Sequence, residues 1–598
     1  MRLRSLGALI CCIASLVFVG CGDDSSTSLN QEQHPSSVAQ LQDLVDQVTE
    51  KTEVDGAAVV LQNVALQDKN PFSRRVPIPG EPFAKKSGKV EWLNTDPLTL
   101  KKLRGKFVVL DFWTYCCINC HHILPVLKKL EEKYPNEIVV IGVHSAKFDE
   151  EKNTENIRDA ILRHDIRHPV VNDHDHFLWN SFGVNSWPTL TVIDPEGYFV
   201  AINRGEIDFE SLDGFFKNCI PYYDKAKLLD KTPIEFELER YEEEPTQLKY
   251  PGKVLADEAN GLLYITDSSH NRIVISDIQG NVKEVIGSGQ VGRADGGYAD
   301  ASFDHPQGLA LHGDTLYVAD VENHMIRKVD LNSKQVSTIA GVGRQASFQE
   351  SFPGVTQTKQ TGPWFGAPRK TPINSPWALW VHEDILYIAM AGPHQIWSMP
   401  LDESRIGPYA GNAREDIVDG PLLPKVPYAV GASSFAQPSG LTSDGEYIYV
   451  ADSEGSSIRG VPFDSTKSVM TVVGTANLPN ARLFTFGDKD GKKAEVRLQH
   501  VLGVHYDAGK IYIADTYNNK VKVVDAKTGE TRTIAGSGDS GTSDEGVGEF
   551  DEPSGISKIG STLYIADTNN HLIRTVNLET SQVGTMAFNG LEPVIESK

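Results

Sequence analysis

Three cysteines and two histidines lie within seven consecutive residues and are the side chains best suited to chemistry. The stretch 116–122 reads Cys-Cys-Ile-Asn-Cys-His-His. Cys117 and Cys120 form a Cys-x-x-Cys pair, and two thiols at this spacing can interconvert between a dithiol and a disulfide. The chain has seven cysteines in 598 residues, too few and too clustered for a structural disulfide framework. The cluster therefore predicts redox chemistry.

The elements that must position this pair are a strand before it and a helix after it. The run 107–113, Phe-Val-Val-Leu-Asp-Phe-Trp, is apolar except for Asp111 and is typical of a buried central strand. Residues 123–130 repeat apolar side chains at helical spacing. The cysteines thus precede a helix, whose free N–H groups and partial positive charge favour a thiolate. Cys117 is therefore predicted to be an accessible nucleophile.

The Asp-Phe-Trp run at 111–113, followed by the Cys-x-x-Cys pair, resembles the thioredoxin superfamily. The Trp-Pro-Thr run at 187–189 is similar to the cis-proline strand of that family, and a helical insert at about 150–163 is similar to its TlpA-like branch. The resemblance covers roughly residues 76–220 and implies an α/β thioredoxin-like fold.

The same resemblance implies a role for each of four residues. Cys117 matches the nucleophilic cysteine and Cys120 the resolving one, so that the two form a redox-active disulfide. Asp111 matches the buried carboxylate that assists proton transfer at Cys120. Pro188 matches the proline of the cis peptide bond, which is uncommon enough to mark a functional site.

The chain departs from the common family pattern beside the dithiol. Cys116 stands where many thioredoxins have Trp, and Ile118 and Asn119 replace Gly-Pro. Residues between the cysteines tune the reduction potential, so the direction of the reaction stays open. Cys116 is interpreted as a packed, inert thiol, with a third redox thiol as the alternative. Cys219 is interpreted as a small buried apolar residue.

Two other kinds of site contain the same residues. Three thiols with His121 and His122 suggest zinc, but a closed tetrahedral site normally takes its ligands from two separated segments, so no metal is expected. Residues 117–121 also match the Cys-x-x-Cys-His attachment site of c-type haem, with His121 as the axial ligand. A porphyrin would have to displace the loop of Pro188, which makes haem the weaker interpretation. We therefore expect no cofactor.

A second unit is indicated by a short phrase that recurs six times from about residue 246. The copies begin at Leu263, Leu316, Leu386, Ile448, Ile511 and Leu563. Most follow a proline–glycine phrase such as His-Pro-Gln-Gly at 305–308. This repetition predicts an all-β six-bladed propeller over 246–598. The phrases resemble NHL repeats, and the order of the two units resembles NHL repeat-containing thioredoxin-like proteins.

Two features of the repeats bear on function. Most copies end in Asp, and this regular position at a strand end favours turn hydrogen bonding over ligand binding. The third copy ends in Met390 and follows a long loop, 346–374, that carries Trp364 and Phe365. Because long loops on rigid scaffolds often hold function, a partner-binding loop is one interpretation and a packing insertion is the other.

The first residues predict export. Residues 1–20 have a basic start and a short apolar stretch, as in a secretory signal peptide. Val-Phe-Val-Gly-Cys at 17–21 resembles the lipobox of bacterial lipoproteins, which implies lipidation of Cys21; cleavage without lipidation is the alternative. Residues 21–75 are interpreted as a tether with a short helix, and 221–245 as a linker between the two folded units. The expected location is the cell envelope, facing the periplasm or the extracellular side.

The composition argues against one class of function, nucleic-acid binding. A formal net charge of −23 disfavours nucleic-acid binding, which requires a basic surface. The expected function is a lipid-anchored thiol–disulfide oxidoreductase that acts on protein thiols or disulfides, with the propeller binding an unidentified protein partner or the substrate. The alternative is a propeller-based binding scaffold with a vestigial or regulatory thioredoxin unit.

Overall fold

The structure is a computed structural model that describes residues 69–78, 80–83, 90–234, 236, 238, 244–347, 350, 364–426 and 428–594. The predicted signal peptide, the lipidation site Cys21 and the tether up to residue 68 lie outside the described residues. In the part of the chain that is described, no helix is both long enough and apolar enough to cross a membrane.

The first unit is built on a seven-stranded mixed sheet with the order β1-β7-β6-β3-β4-β5-β2. Its strands are β1 (Val76–Pro77), β2 (Glu91–Leu93), β3 (Phe107–Trp113), β4 (Ile138–His144), β5 (Val170–Asn172), β6 (Thr189–Ile193) and β7 (Tyr198–Arg204). The central strand β3 runs parallel to β4 and antiparallel to β6, and all seven of its residues are buried. This burial on both faces explains its continuous apolar sequence.

Helices cover the sheet and complete the predicted α/β thioredoxin-like fold. They are α1 (Ile118–Lys133), α2 (Thr154–Arg163), α3 (Phe177–Ser181) and α4 (Phe209–Lys225). The helical insert expected at about 150–163 is present as a 3₁₀ turn, Glu150–Lys152, followed by α2. Apolar side chains of α1 and α4 pack with β3 in one continuous cluster. That packing fixes the start of α1 against the end of β3.

The second unit is the predicted six-bladed propeller, with each blade formed by one continuous stretch of chain. The blades contain β8 (Pro251–Asp257), β9 (Leu262–Asp267), β10 (Arg272–Asp277) and β11 (Val282–Ile286); β12 (Gly296–Gly297), β13 (Pro306–His312), β14 (Thr315–Asp320), β15 (Met325–Asp330) and β16 (Gln335–Ala340); β17 (Pro376–His382), β18 (Ile385–Met390), β19 (Gln395–Pro400) and β20 (Gly407–Ala410); β21 (Gly420–Pro421), β22 (Pro438–Ser443), β23 (Tyr447–Asp452), β24 (Ser457–Pro462) and β25 (Ser468–Val473); β26 (Gly491–Lys492), β27 (Gly503–Asp507), β28 (Lys510–Asp515), β29 (Lys520–Asp525) and β30 (Glu530–Ala535); and β31 (Pro553–Ile559), β32 (Thr562–Asp567), β33 (Leu572–Asn577) and β34 (Val583–Thr585). Further 3₁₀ turns are Ser268–His270, Pro368–Lys370, Arg482–Phe484, Lys493–Glu495 and Thr516–Asn518. The innermost strands β8, β13, β17, β22, β27 and β31 are neighbours in that order, and β31 meets β8 to close the circle.

The segment after β34 seals the sixth blade to the first. Met586, Phe588 and Leu591 join an apolar cluster with side chains of β8 and β9. The Val282 N–H donates to the carbonyl of Asn589 at 3.0 Å, which ties the segment to β11. Closure therefore depends on apolar burial and edge hydrogen bonds rather than on a strand exchanged between the chain ends.

The recurrent aspartates have structural roles. Asp320 accepts the N–H of Asp304 at 2.8 Å and pairs with Arg327 at 2.8 Å, and both Asp320 and Arg327 are fully buried. Corresponding buried pairs are Asp452–Arg459, Asp515–Lys522 and Asp567–Arg574. In the third blade, Met390 and Trp397 occupy the two positions and pack in an apolar cluster. The aspartates are therefore not ligands, and their main partners lie on adjacent strands rather than only in their own turns.

Candidate redox site

The dithiol lies at the junction of β3 and α1, as the sequence predicts. Cys117 is the N-cap residue of α1, with φ −88° and ψ 110°. Its carbonyl accepts the N–H of Cys120 at 3.0 Å and that of His121 at 3.2 Å, which starts the helix. Its sulfur thus stands beside the first amides of a 16-residue helix, where the helix dipole stabilises negative charge.

Cys120 is completely buried behind Cys117 and forms a hydrogen bond with its side chain. Burial, that hydrogen bond and the nearby Asp111 carboxyl raise the pKa of Cys120 well above its usual range. Both oxygens of Asp111 lack a hydrogen-bond partner among the described residues. Burial raises the pKa of Asp111 to about 7, although His168 opposes the shift. A carboxyl that titrates near neutral pH beside a buried thiol is suited to take its proton.

The peptide bond between Trp187 and Pro188 is cis, as the resemblance implies. The Trp187 indole N–H donates to the carbonyl of Ser145 at 2.9 Å. Trp187 packs against the apolar cluster that contains Cys117 and Cys120. The structure therefore brings all four sequence-predicted site residues of the folded unit to one end of the sheet.

Cys116 is held as a neutral thiol. Its N–H donates to Glu151 at 2.9 Å, and its Sγ lies 3.8 Å from an oxygen of Glu454 in the propeller. Burial and these two carboxylates raise the pKa of Cys116 well above its usual range. Cys219 lies in α4 against the sheet, and burial raises its pKa to about 12. Both environments favour inert thiols.

The two histidines after Cys120 are occupied by protein contacts. His121 Nε2 lies 2.9 Å from the carbonyl of Tyr115, and its ring packs 4.0 Å from that of His164. Burial lowers the pKa of His121 to about 3. With Cys120 enclosed as well, these residues do not fit a covalently attached haem. Among the described residues, no group of three or more His, Cys, Asp or Glu side chains is placed to hold a metal ion.

Six propeller residues, one from each blade, form a circle that we call the docking ring. They are Tyr250, His305, Ser375, Gln437, His500 and Glu552. Five of them immediately precede an innermost strand, and His500 lies three residues before β27. All six have φ between 44° and 61°, a left-handed conformation that is uncommon for residues with a side chain. Each N–H donates to a side chain of the preceding blade, the acceptors being His571, Asn271, His324, His394, Ser456 and Asn519 in the same order. This closed set of hydrogen bonds holds the strained backbone in place.

All six members of the docking ring contact the first unit around the cysteine turn. Gln437 donates to the Cys116 carbonyl at 2.8 Å and accepts the Ile118 N–H at 2.9 Å. Contacts of the other five are Tyr250 with Arg163, His305 with the Arg163 carbonyl, Ser375 with His122, His500 with Phe148, and Glu552 with Arg163. The propeller is therefore docked directly on the candidate redox site.

An ionic cluster, buried except for Glu415, and an aromatic cluster extend this interface. Lys147 pairs with Glu415 at 2.8 Å and also with Glu454, which places a cation of the first unit between two propeller carboxylates. Phe148 packs against Phe486 and Tyr517 at centroid distances of 4.6 and 5.6 Å. Removing one partner of a buried ion pair is costly, so these contacts favour a fixed docking geometry.

Docking explains why Cys117 is only 7% exposed, whereas the sequence analysis predicted an accessible thiol. The ring residues were not predicted as site residues, because their types differ from blade to blade. Five of them immediately precede the proline of a proline–glycine phrase, or its Pro-x-Ala counterpart in the third blade, and that position was the available signal. In the long loop, Trp364 is buried and the Arg405 guanidinium lies 4.6 Å from the centre of the Phe365 ring. The described end of that loop therefore packs on its own blade, while its middle lies outside the described residues.

Comparisons with known proteins agree with both units. A thioredoxin-like family model matches residues 105–199. Protein SUPPRESSOR OF QUENCHING 1, chloroplastic, of Arabidopsis thaliana is 42% identical over 526 residues, which cover 84% of this chain and 48% of that protein. NHL repeat-containing protein 2 of Bos taurus is 40% identical over 528 residues, which cover 83% of this chain and 70% of that protein.

The first unit also matches a bacterial enzyme. Thiol-disulfide oxidoreductase YkuV of Bacillus subtilis (strain 168) is 26% identical over 133 residues, which cover 22% of this chain and 90% of that protein. The chain thus spans about half of the Arabidopsis relative and over two thirds of the bovine one. Because both units are matched in a single alignment with the bovine protein, this chain belongs to the family of NHL repeat-containing protein 2.

Proposed function

We propose that this chain is a thiol–disulfide oxidoreductase whose reactive pair is Cys117 and Cys120. The observation that carries the proposal is the buried Asp111 carboxyl, which lacks a hydrogen-bond partner among the described residues and acts on Cys120. Leaving a buried polar group unpaired costs roughly 1–3 kcal/mol, so its presence calls for a role. Proton transfer to and from the resolving cysteine supplies one.

The reaction proceeds in two exchanges. The Cys117 thiolate attacks one sulfur of a substrate disulfide, a mixed disulfide forms, and the other substrate sulfur leaves as a thiolate. Asp111 then takes the proton of Cys120, whose thiolate attacks the Cys117 sulfur. The second substrate sulfur leaves, and two electrons have passed to the substrate while Cys117 and Cys120 join. A partner dithiol restores the reduced pair, and the same steps in reverse would oxidise a substrate.

Trapping tests this proposal. Cys120→Ser should accumulate mixed disulfides through Cys117 with protein thiols or disulfides, because the resolving step is lost. Cys117→Ser should accumulate none, and Cys116→Ser in the Cys120→Ser background should still trap. Adducts that persist in Cys117→Ser, or that map to Cys116, would overturn the assignment. The reduction potential of the full chain then sets the direction, about −270 mV for a reductant of the thioredoxin kind and about −120 mV for an oxidant.

A second candidate is a propeller-based binding protein with a regulatory thioredoxin unit. The small exposed fraction of Cys117 supports it, because a covered thiol is poorly placed for rapid turnover. Turnover separates the two candidates: the second predicts full partner binding but no catalysed reduction of insulin disulfides by dithiothreitol. In either case we propose that the propeller binds a protein partner and that the acidic chain does not bind nucleic acid.

We also propose that the protein is exported and anchored in the cell envelope through a lipid on Cys21. The support is the sequence of residues 1–21 alone. Labelling of cells with an alkyne fatty acid should tag the wild-type protein and leave Cys21→Ala untagged. If the tag stays on Cys21→Ala, the lipid is elsewhere. If neither protein is tagged but both are shortened at the N-terminus, the signal is cleaved without lipidation.

A further inference from the structure

The propeller contributes one side chain that brackets the reactive cysteine. The Gln437 carboxamide donates to the carbonyl of Cys116 and accepts the N–H of Ile118, at 2.8 and 2.9 Å. These are the two backbone groups that immediately flank Cys117. A single side chain from the fourth blade therefore holds the peptide units on both sides of the nucleophile.

Gln437 is itself held in one place. It is buried, its N–H donates to His394 at 3.1 Å, and its carbonyl accepts the hydroxyls of Ser439 and Ser453 at 2.8 and 2.7 Å. Its backbone φ is 61° as part of the docking ring. A side chain on so fixed a backbone can position the cysteine turn accurately.

The bond to Ile118 uses one of the amides that a helix offers to an anion at its N-terminus. The first N–H groups of a helix have no partner within the helix and stabilise a nearby thiolate. The Ile118 amide instead donates to the Gln437 oxygen. The same oxygen carries partial negative charge beside the turn. Both effects disfavour the thiolate relative to an isolated thioredoxin-like helix.

We propose that Gln437 is a positioning residue of the redox site, which fixes the backbone around Cys117 and restrains its conversion to the thiolate. The inference deepens the proposed function and rests on Cys117 being the reactive thiol. Through Gln437, the propeller then influences the reactivity of Cys117 in addition to binding a partner.

Several charged and titratable groups surround the cysteine turn. They include Cys116, Cys120 and His121 at the turn, Asp111 on β3, Glu151 and Lys147 from the segment before α2, and Glu415, Glu454 and His394 from the propeller. None of these residues is changed by substituting Gln437. A change in the titration of Cys117 in Gln437 variants therefore reports the carboxamide itself.

Two substitutions with opposite expected effects test the proposal in the full chain. Iodoacetamide labelling of Cys117, followed by peptide mass spectrometry across a pH series, gives the midpoint pH of alkylation and the plateau rate separately. Gln437→Ala should lower the midpoint by about one pH unit, a tenfold gain in thiolate at lower pH, because the Ile118 amide is released. Gln437→Glu should raise the midpoint, because a carboxylate replaces the amide. The reduction potential should rise in Gln437→Ala and fall in Gln437→Glu.

Glu552→Gln is the matched control. It weakens another contact of the docking ring, the ion pair with Arg163, which lies at the end of α2 and not in the cysteine turn. It should leave the midpoint unchanged even if a looser interface raises the plateau rate. Equal shifts in Glu552→Gln and Gln437→Ala, or shifts of the same sign in both Gln437 variants, would overturn the positioning role. Alkylation needs no turnover, so an inactive enzyme with these shifts would contradict the proposed function and leave the role of Gln437 standing.

Discussion

Asp320 of the propeller and Asp111 of the thioredoxin-like unit are both buried, and their surroundings differ in one respect. In the propeller, Asp320 accepts a backbone N–H and pairs with the buried Arg327. In the thioredoxin-like unit, Asp111 is equally buried, yet neither of its oxygens has a hydrogen-bond partner among the described residues. Burial alone thus does not distinguish a structural carboxylate from a chemical one, whereas the set of partners does.

Stability and catalytic activity should therefore depend on different aspartates. A carboxylate with a full set of partners holds strands together, and its loss should be felt in unfolding. A carboxyl without partners destabilises the fold when it ionises, and the proton transfer proposed for Asp111 would account for its presence. Substitutions in the two units should therefore change different measurements.

The largest effect is expected for Asp320→Ala in the second blade. This change leaves Arg327 without its buried partner and frees the Asp304 N–H, so the free energy of unfolding should fall by about 3–5 kcal/mol. Urea unfolding of the full chain measures the loss. Turnover per folded molecule should stay at the wild-type value, and a parallel loss of turnover would break the proposed separation.

Asp111→Asn should have the opposite effects, lowering activity and raising stability at high pH. Loss of the proton acceptor should slow disulfide reduction at pH 7 by about 100-fold. The raised pKa of Asp111 means that its contribution to stability is fully present below about pH 4 and is lost as the pH rises through about 7. The variant should therefore exceed the wild type in stability at pH 8, by roughly 2 kcal/mol after the cost of an unpaired amide.

The pH dependence provides the check on Asp111→Asn. Thermal unfolding at pH 4 and pH 8 should show the gain only at the higher pH. A variant that is less stable at both values would indicate that Asp111 has a structural partner after all, and the contrast with Asp320 would fail.

The third blade permits a smaller, sharper test. Met390→Asp alone should destabilise the protein, because its carboxylate would face the buried Trp397. Adding Trp397→Arg should recreate the pair of the other blades and recover about 1–3 kcal/mol as a coupling energy. A double-mutant cycle by urea unfolding measures it. Strictly additive losses would show that the pair depends on more of the blade than these two positions.

The smallest effect is expected for Cys116→Ser. Its thiol contacts Glu454, and a hydroxyl can donate to the same carboxylate. Turnover should change less than about twofold and unfolding by at most about 0.5 kcal/mol. A loss comparable to that of Cys117→Ser would make Cys116 a third redox thiol.

Much of the fold and of the dithiol site follows from local sequence. The apolar run around Asp111, the spacing of Cys117 and Cys120, and the six repeated phrases are short-range signals, and each predicts an element that the structure contains. The Trp-Pro run predicts the cis bond at Pro188. These features depend on residues close to one another in the chain, which is why pattern reasoning reaches them.

The docking of the two units could not be read in the same way. Gln437 and Ile118 are separated by 319 positions, and no periodicity relates them. The ring positions share a left-handed backbone rather than a residue type, so Tyr, His, Ser, Gln and Glu all occur there. Contacts made through backbone conformation leave little trace in composition. The burial of Cys117 does not follow from the sequence for this reason.

The hydrogen bonds between Gln437 and the cysteine turn link the docking of the propeller to the state of the dithiol. Coupling between two equilibria is reciprocal: if docking shifts the balance between dithiol and disulfide by some factor, oxidation shifts the docking equilibrium by the same factor. With the dithiol chemistry proposed above, oxidation of Cys117 and Cys120 would therefore change the stability of the interface between the units. If the pair reacts as proposed, the strength of docking would depend on its oxidation state, and the binding of a protein to the propeller would depend on it in turn.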